Sequence, residues 1–309
     1  YLMQRHFLFL QGLPGPFFRM LATALCGEGH RASRINMNGG DWYDWRIGDV
    51  SHYRGKADGW PDWLKRYVLD NGVTDVVLFG ELRPRHRAAI LLAAELSLRV
   101  YEFEEGYLRP NHVTIDQWIG GEKVAMGLIS LNCSSEIAVN GRFRRRMAES
   151  ARYWLAATLA RPLFRHYRSH RIHPAWLELL YWSRRRVRKS GEKKRSKKAI
   201  RDIGDRSFFL FPLQLDGDAQ IVGRSPFASM GHALDHVLTS FAADAPDDAL
   251  LLIKRHPFDP DLTDWAAQVT EQTGQWGISD RVFYVSRFDL DPLLLKCAGV
   301  VTVNSTVGP

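Results

Sequence analysis

Cysteines and long apolar runs are scarce in this chain, and each scarcity excludes a class of protein. The 309 residues include three widely spaced cysteines, Cys26, Cys133 and Cys297, and no Cys-X-X-Cys pair. A disulfide framework or a zinc site is therefore not expected, and the pattern is typical of a reducing cytoplasm. No stretch approaches the roughly 18–20 consecutive apolar residues of a membrane-spanning helix. Segment 1–15 has a short apolar run before a glycine-proline turn, which indicates a first strand and not a signal peptide.

The rest of the composition is that of a folded protein. Hydrophobic residues make up 45% of the chain and charged residues 25%, as in ordinary globular domains. A chain of 309 residues is long enough for two domains that each have a core. It does not begin with Met, and it stops at "NSTVGP", where the pattern predicts a further helix. We therefore expect a fragment that lacks the end of its second domain.

Positive charge is concentrated in one segment. The formal net charge is +8, and residues 184–198, "RRRVRKSGEKKRSKK", contain ten Lys or Arg residues against one Glu. The rest of the chain is therefore close to neutral, so binding to nucleic acid is the least favoured interpretation. The segment suits an anionic lipid surface or another polyanion, and a solvated linker explains it equally well.

Strand-like and helix-like apolar patterns alternate in both halves of the chain. In the first half, strands are predicted at 6–12, 30–38, 73–81 and 98–106, helices at 17–29 and 85–97, and a loop at 39–42. In the second half, strands are predicted at 207–215, 249–257, 281–286 and 300–309, and helices at 230–245, 261–274 and 290–299. This repetition with short connections predicts parallel sheets with right-handed crossovers.

Residues 142–200 interrupt the alternation. Their pattern is helical, aromatic and strongly basic, which fits either a membrane-surface element or helices packed at a domain junction. The sequence thus predicts an α/β protein with two Rossmann-like domains. We expect the first domain at 1–141, a basic helical insert at 142–205 and a truncated second domain at 206–309. Ligands are expected where strand ends and helix starts converge.

Polar and glycine-rich loops follow the strands of the first half. "QGLPGPFF" contains Gly12 and Gly15, which suit either a phosphate-binding turn or a tight strand–helix turn, and it matches neither the Walker nor the dinucleotide motif. Because parallel strands deliver their following loops to one edge of a sheet, the polar residues after them are expected to gather there. They are Asn38, Asp41, Glu81, Arg83, His86 and Glu105. Such groups suit a hydroxylated ligand, whereas capping and solvation would explain any single loop.

The second half has a different set of residues at its strand ends. Lys254, Arg255 and His256 follow one strand, and Ser305 and Thr306 follow another at a glycine-containing turn. Cations with a hydroxyl-glycine turn suit a phosphate group. Further polar residues that suit a nucleotide phosphate and ribose lie in "PLQLDGDAQI": Gln214, Asp216, Asp218 and Gln220. The Asp-Gly-Asp spacing is more typical of a turn than of a metal site, so no metal is predicted.

The segment "FEEGYLRP" at 103–110 ends a predicted strand with two adjacent carboxylates, Glu104 and Glu105, and places Arg109 beyond a glycine. Like charges side by side disfavour each other's ionised form, so such a pair is unusual at a strand exit. The segment is therefore either a solvated turn or a reactive site.

Taken together, several stretches resemble a known family. The segments "FLQGLPGPFFRMLATALCGEGHRASRINMNGGDW", "FGELRPRHRAA", "YEFEEGYLRP", "PLQLDGDAQI", "KRHPFDP" and "VNSTVG" are similar to bacterial capsule polysaccharide biosynthesis and export proteins. That family includes the β-Kdo transferases of group 2-type capsules. The chain most resembles the single-domain type that adds the first β-Kdo to lysophosphatidylglycerol. The resemblance implies a GT-B-like fold, a CMP-β-Kdo donor and retention at the anomeric carbon.

The resemblance also implies catalytic roles. Retention by double displacement requires a carboxylate nucleophile and an acid/base group. Glu105 stands where the family has an Asp and is the candidate nucleophile, with Glu104 and Glu81 as alternatives for acid/base chemistry. Arg109 is expected to bind the Kdo carboxylate or to keep Glu105 ionised.

For the donor, Lys254, His256 and Pro257 match the family's His-Pro element, which is expected to hold the CMP phosphate together with Ser305 and Thr306. No cofactor is implied beyond CMP-Kdo as the donor substrate. The implied partners are lysophosphatidylglycerol or a Kdo-primed lipid, the inner-membrane surface that a cytoplasmic peripheral protein would contact, and a capsule assembly or export complex. The alternative function is a non-catalytic export component that binds lipid-linked polysaccharide through residues 142–200.

Overall fold

The computed structural model describes residues 4–105, 113–124, 142–169, 175–215, 225–257 and 261–303, together with 221, 223 and 259. The chain divides into two compact units, Tyr1–His170 and Arg171–Pro309. Several predicted site residues lie outside the described residues: Arg109, Asp216, Asp218, Gln220, Ser305 and Thr306.

A mixed sheet forms the centre of the first unit. Its described strands are β1 (His6–Phe9), β2 (Arg31–Asn36), β3 (Asp49–His52), β4 (Asp75–Phe79), β5 (Arg99–Glu105), β6 (Val113–Ile119) and β7 (Glu122–Val124). Their spatial order is β3-β2-β1-β4-β5-β6-β7. β1 to β5 run parallel, which confirms the predicted parallel α/β sheet. β6 and β7, which the sequence analysis missed, are antiparallel and are joined by Gly120 and Gly121, both at positive φ.

Helices connect these strands. In the described part of the first unit they are α1 (Phe17–Gly27), α2 (Gly39–Asp44), α3 (Trp60–Asn71), α4 (Pro84–Glu95) and α5 (Arg142–Leu159). The prediction of a loop at 39–42 is wrong, because these residues begin the helix α2. The Asn38 side chain caps this helix by accepting a hydrogen bond from the Asp41 backbone N–H at 2.9 Å. A Cβ at Gly40 would lie 2.7 Å from the Tyr153 ring on α5, so the glycine permits close packing of the two helices.

Apolar side chains cover both faces of the first sheet. Successive side chains of a strand point to opposite faces, so Leu8 of β1 joins the cluster that contains Trp60 of α3. Phe9 joins the opposite cluster, which contains Phe18 of α1 and Phe103 of β5. With both faces buried, ligands can reach this sheet at its strand ends.

The second unit has a parallel sheet of its own. Its described strands are β8 (Phe209–Pro212), β9 (Leu251–Lys254), β10 (Val282–Val285) and β11 (Gly299–Val300), in the order β10-β9-β8-β11. All neighbouring pairs are parallel, as predicted. Its described helices are α6 (Ala175–Ile203), α7 (Met230–Asp244), α8 (Trp265–Gln275) and α9 (Asp291–Lys296). Phe211, Leu234 and Trp265 lie in its largest core cluster.

The basic helical insert predicted at 142–205 is divided between helices of the two units. α5 belongs to the first unit, where it packs on α2, and α6 belongs to the second, where it packs near β10. Within α6 the hydroxyl oxygen of Ser196 is buried and accepts hydrogen bonds from the backbone N–H groups of Ser286 and Arg287, at 3.1 and 3.2 Å. None of the described helices combines the length and apolarity needed to cross a bilayer. The three-part division at 141 and 205 stays a prediction.

Candidate functional site

The strand order of the first unit creates a crevice between β1 and β4. The chain leaves β1 toward β2 and leaves β4 toward β5, so the loops after β1 and β4 diverge. We call the strand-end segments 11–15, 38–41, 80–83 and 104–105 the first rim. Arg83 connects its two central loops, because Nη1 donates to the carbonyls of Gln11 and Gly12 at 3.4 and 3.3 Å.

The two predicted glycines of the first rim serve local packing. A Cβ at Gly12 would lie 2.8 Å from the Phe18 ring, so this residue permits the tight turn into α1. Gly15 has a φ of 123°, and its N–H donates to Oδ2 of Asp44 at 2.8 Å. Asp44 is buried, and this burial raises the pKa of its carboxyl group to about 6. The sequence analysis did not identify Asp44.

Asp41 is fully buried at the centre of a hydrogen-bond network. Oδ1 accepts from Arg34 Nη2 at 3.1 Å and from the Tyr153 hydroxyl at 2.8 Å. Oδ2 accepts from the Met37 N–H at 3.0 Å and more weakly from Gln11 Nε2 at 3.3 Å. These donors occupy both oxygens, so the geometry gives Asp41 the task of ordering the first rim and does not present it to a ligand.

Two tyrosines complete this network. The Tyr153 and Tyr167 hydroxyls both accept from Gln11 Nε2, at 3.0 and 2.9 Å. Burial raises the pKa of both phenols, so they remain protonated and available as donors. Sequence reasoning missed them because Tyr153 is 112 positions from Asp41, and no local spacing connects them.

His86, a predicted ligand-loop residue, lies inside α4 and is fully buried. Its Nδ1 donates to the Gly80 carbonyl at 3.0 Å, which fixes the loop between β4 and α4. This places His86 beneath the first rim, with one ring nitrogen engaged by the backbone.

A buried carboxylate lies beside the acidic pair of β5. Glu102 is fully buried, and Oε1 accepts from the backbone N–H of Glu81 at 2.7 Å. Oε2 accepts from Trp118 Nε1 at 3.0 Å and Lys123 Nζ at 3.1 Å. Glu102 thus fixes the end of β4 against β5. The sequence analysis missed it, because its partners come from β6, β7 and the loop after β4.

The three carboxylates predicted as catalytic lie at the ends of two neighbouring strands. Glu104 is half-buried and lies opposite Thr114, while Glu105 is the final residue of β5. Glu81 follows β4, whose end is tied to β5 by a hydrogen bond from the Gly80 N–H to the Phe103 carbonyl at 3.0 Å. The structure therefore brings the backbones of these residues to one part of the first rim.

A basic cavity of about 540 Å³ adjoins the first rim. The predicted residues Arg83 and His86 line it, as does Gln11. Four further cations in its lining were not predicted as site residues: Lys56, Arg85, Arg165 and Arg168. They come from the loop before α3, from α4 and from the segment after α5, so only the fold assembles them.

The second unit also has a strand-end rim. We call its segments 213–215, 254–257 and 301–303 the second rim, since they follow the adjacent strands β8, β9 and β11. Gln214 and Lys254 are both buried there, and burial lowers the pKa of the Lys254 ammonium group. His256 is half-buried and Pro257 is exposed. The structure thus assembles these four predicted donor-site residues along one sheet edge.

Arg255 differs from its predicted use as a phosphate-binding cation. It is 2% exposed, and its Nη2 donates to Glu192 Oε2 at 2.8 Å while Nη1 donates to Asp261 Oδ1 at 2.5 Å. Glu192 also accepts from Arg287 Nε at 3.0 Å. A cavity of about 1000 Å³ is lined in part by Glu192, Arg255 and Asp261. The charge of Arg255 is therefore matched within the protein.

Two units, each built on a sheet with neighbouring parallel strands, define the chain as an α/β protein. It belongs to the capsule polysaccharide biosynthesis family, because the family model described as "Capsule polysaccharide biosynthesis protein" matches residues 74–309. The family predicted from the sequence motifs is thereby confirmed.

Individual relatives agree with this assignment. The chain is 28% identical to the capsule polysaccharide export protein KpsS of Escherichia coli, over 98% of this chain and 81% of the relative. It is 29% identical to the capsule polysaccharide modification protein LipB of Neisseria meningitidis serogroup B, over 97% of this chain and 76% of the relative.

Solved structures give weaker similarities. A UDP-GlcNAc 2-epimerase of Methanocaldococcus jannaschii matches 98% of this chain and 80% of its own at 13% identity, with a TM-score of 0.28. A glycosyltransferase of Rickettsia africae matches 96% of this chain and 72% of its own at 10% identity, with a TM-score of 0.31. Scores this low support no statement about function, and the GT-B-like arrangement stays a prediction.

Proposed function

We propose that this chain is a retaining capsule glycosyltransferase that transfers β-Kdo from CMP-β-Kdo to lysophosphatidylglycerol. The observation that carries the proposal is the position of two motifs. "EEGYLR" begins at the end of β5 in one α/β unit, and "KRHP" begins at the end of β9 in the other. Each therefore follows a parallel strand at the edge where such sheets bind ligands. Membership of the capsule family supports the polysaccharide chemistry.

The proposed reaction is a double displacement. The Glu105 carboxylate attacks the anomeric carbon of Kdo, the bond from that carbon to the CMP phosphate oxygen breaks, and CMP leaves with the electron pair. The acceptor hydroxyl then attacks the glycosyl ester and regenerates the Glu105 carboxylate. The proton of the acceptor hydroxyl passes to Glu104 or Glu81. Arg109 is assigned to the Kdo carboxylate.

The second rim is proposed to hold the CMP phosphate. Among the described residues, Lys254 has no carboxylate within ion-pair distance, and its Nζ makes only a long hydrogen bond of 3.5 Å to the Arg255 carbonyl. Asp289 attracts this buried ammonium group from beyond ion-pair distance, and a phosphate would supply a counter-charge in direct contact with it. His256 follows directly, and Ser305 and Thr306 are assigned to the same phosphate.

Transfer to a fluorescent lysophosphatidylglycerol tests the proposal. CMP-β-Kdo is generated in the reaction mixture, and the wild type is compared with Glu105→Gln and His256→Ala. The matched controls are Glu122→Gln, an exposed carboxylate on β7, and His232→Ala, an exposed histidine on α7. We expect a loss of at least about 10²-fold for Glu105→Gln, with controls at the wild-type rate.

Each other outcome has a defined meaning. Transfer that persists in Glu105→Gln places the nucleophile elsewhere. A folded wild type without transfer favours the alternative, a non-catalytic export component that binds lipid-linked polysaccharide. The observation that favours this alternative is the similarity to a relative named as an export protein.

A further inference from the structure

The basic cavity beside the first rim contains more positive charge than the protein neutralises. Its lining includes Lys56, Arg83, Arg85, Arg165 and Arg168, and no Asp or Glu is among the described residues that line it. Within the described part of the chain, none of these five has a carboxylate within the 4.0 Å of an ion pair. An exposed cation is solvated by water, but several that converge on one cavity attract an anion.

The nearest buried carboxylate does not supply the missing charge. Asp41 attracts Arg83 and Arg85 electrostatically. However, Asp41 already forms a buried ion pair with Arg34 at 3.1 Å, in which both side chains are at most 3% exposed. One carboxylate and one guanidinium cancel, so the cavity cations remain in excess.

Arg85 is held in place with unused hydrogen-bonding capacity. Its guanidinium carbon lies 5.2 Å from the centre of the Tyr53 ring and 5.5 Å from that of Tyr167. Its Nη1 is buried and has no hydrogen-bond partner among the described residues. A buried donor without an acceptor is costly, and an anion in the cavity would remove that cost.

The first turn of α4 adds to the same field. This 12-residue helix begins at Pro84, directly after Arg83, and its first turn contains no acidic residue. The N-terminus of a helix carries partial positive charge, so Arg83 and Arg85 lie where cations are disfavoured unless an anion is bound. Helix and side chains thus favour the same kind of ligand.

The size of the cavity indicates more than an inorganic ion. A second cavity of about 430 Å³ shares Lys56, Arg165 and His166 with the first and is also lined by Pro162 and Leu163. The combined surface offers cations for a phosphate and apolar groups for an attached carbon chain. Arginine is well suited to phosphate, because its fork of donors pairs with two oxygens at once.

We propose that this cavity binds the phosphodiester of a glycerophospholipid acceptor. Arg85 and Arg83 contact the phosphate oxygens, and Lys56, Arg165 and Arg168 surround the headgroup. The identity of the acceptor rests on the proposed function, whereas the binding of a phosphodiester does not require catalysis.

Calorimetric titration without donor tests this assignment. The probe is a short-chain lysophosphatidylglycerol below its micelle concentration, and the comparison ligand is the monoacylglycerol with the same acyl chain. We expect Arg85→Gln to weaken binding about tenfold or more and Arg168→Gln a few-fold. Arg161→Gln, an exposed arginine outside the cavity, should bind like the wild type.

Four results would overturn the proposal. The first is equal affinity for the monoacylglycerol, and the second is wild-type affinity in both Arg85→Gln and Arg168→Gln. The third is competition by CMP that is lost in Arg85→Gln, which would assign the cavity to the donor. The fourth is inorganic phosphate that competes as well as the lysolipid, which would make the cavity a free-phosphate site. If Arg85→Gln does not fold, the same titration of Arg168→Gln and Lys56→Gln tests the proposal in its place. Because no donor is present, phosphodiester binding without Kdo transfer retains this site and rejects only the proposed function.

Discussion

The first and second rims both lie at the ends of parallel strands but use their charges differently. In the second rim, Arg255 is held between Glu192 and Asp261, and Arg287 shares Glu192. In the first rim, the buried pair of Arg34 and Asp41 is surrounded by uncharged donors, and the cavity cations beside it lack carboxylate partners in the described residues. A network of ion pairs around Arg255 therefore fixes the second rim, whereas the first rim combines one buried ion pair with helix packing and neutral hydrogen bonds.

This difference separates structural cations from cations available to a ligand. A guanidinium that two carboxylates already hold gains little from a substrate phosphate, and taking it away would leave those carboxylates without their closest cation. A guanidinium with an unused N–H gains a partner. Sequence position alone does not separate the two cases, because Arg255 and Arg85 both lie in the polar segment that follows a strand.

The largest expected effect is on the ion-pair network of the second rim. Arg255→Met should lower the free energy of unfolding by up to about 3–5 kcal/mol, because Glu192 and Asp261 would lose the buried cation that they share. Each would keep one more exposed partner, Arg287 at 3.0 Å or Arg188 at 3.7 Å. Urea denaturation, with hydrogen exchange of peptides from β9 and α6 as the local readout, measures the loss.

Arg85→Met is the matched comparison for that variant. It removes a cation with no carboxylate partner among the described residues, so its stability should change by less than about 1 kcal/mol while phosphodiester binding falls. Equal destabilisation by the two substitutions would show that the rims do not differ as described.

Helix packing should be the next most sensitive feature. A Cβ at Gly39 would overlap the Ala156 carbonyl oxygen on α5 and the side chain of Ala160, the residue after that helix. Gly39→Ala should therefore separate α2 from α5 and cost about 1–3 kcal/mol. Gly27→Ala, where a Cβ meets nothing within 4 Å, is the control in thermal unfolding. A Gly39→Ala protein as stable as this control would contradict the role of packing.

Local patterns were sufficient to predict most of the sheet strands but not everything between them. The buried runs of β4 and β9 are continuous and apolar, so their sequence specifies a parallel strand. α3 was missed although Pro61 and Gly72 mark its ends, and Gly120-Gly121 marked the hairpin of β6 and β7. These signals were present in the sequence and were not used.

The site was predictable only where function follows strand ends. Lys254 and Arg83 could be placed at a sheet edge because each comes after an apolar run. The partners of Glu102, the aromatic support of Arg85 and the position of Tyr153 depend on contacts between distant segments. Such contacts are a property of the fold and have no counterpart in residue spacing.

The neutral hydrogen bonds of the first rim should have a smaller effect than its packing. Tyr153→Phe removes the hydroxyl that donates to Asp41 at 2.8 Å and leaves the other donors to that carboxylate in place. We expect the free energy of unfolding to fall by about 1–2 kcal/mol. Hydrogen exchange at the amides of α2 measures it, and Tyr43→Phe on the exposed side of that helix is the control. Unchanged protection in Tyr153→Phe would remove this hydroxyl from the network.

A further effect of similar size depends on pH and involves Asp44. Its pKa is raised to about 6 in the folded protein, so the folded state holds a proton that the unfolded chain releases near pH 4. Between about pH 4 and pH 6 the native state binds more protons than the unfolded state. The free energy of unfolding should therefore fall as pH rises through this range and keep its lower value above it. Allowing for screening by solvent, the ionised Asp44 carboxylate lowers the free energy of unfolding at pH 7 by about 1–2 kcal/mol.

Asp44→Asn should relieve this penalty, since a neutral amide can still accept the hydrogen bond from the Gly15 N–H. The variant should be more stable than the wild type at pH 7.5 and equally stable at pH 4. Asp49→Asn, an exposed carboxylate of the same unit, should show no such gain. If the wild type and Asp44→Asn lose stability in parallel across this range, Asp44 titrates normally. The buried carboxylate that holds Gly15 of the first rim would then not oppose folding at neutral pH, and the contrast between the two rims would rest on charge pairing alone.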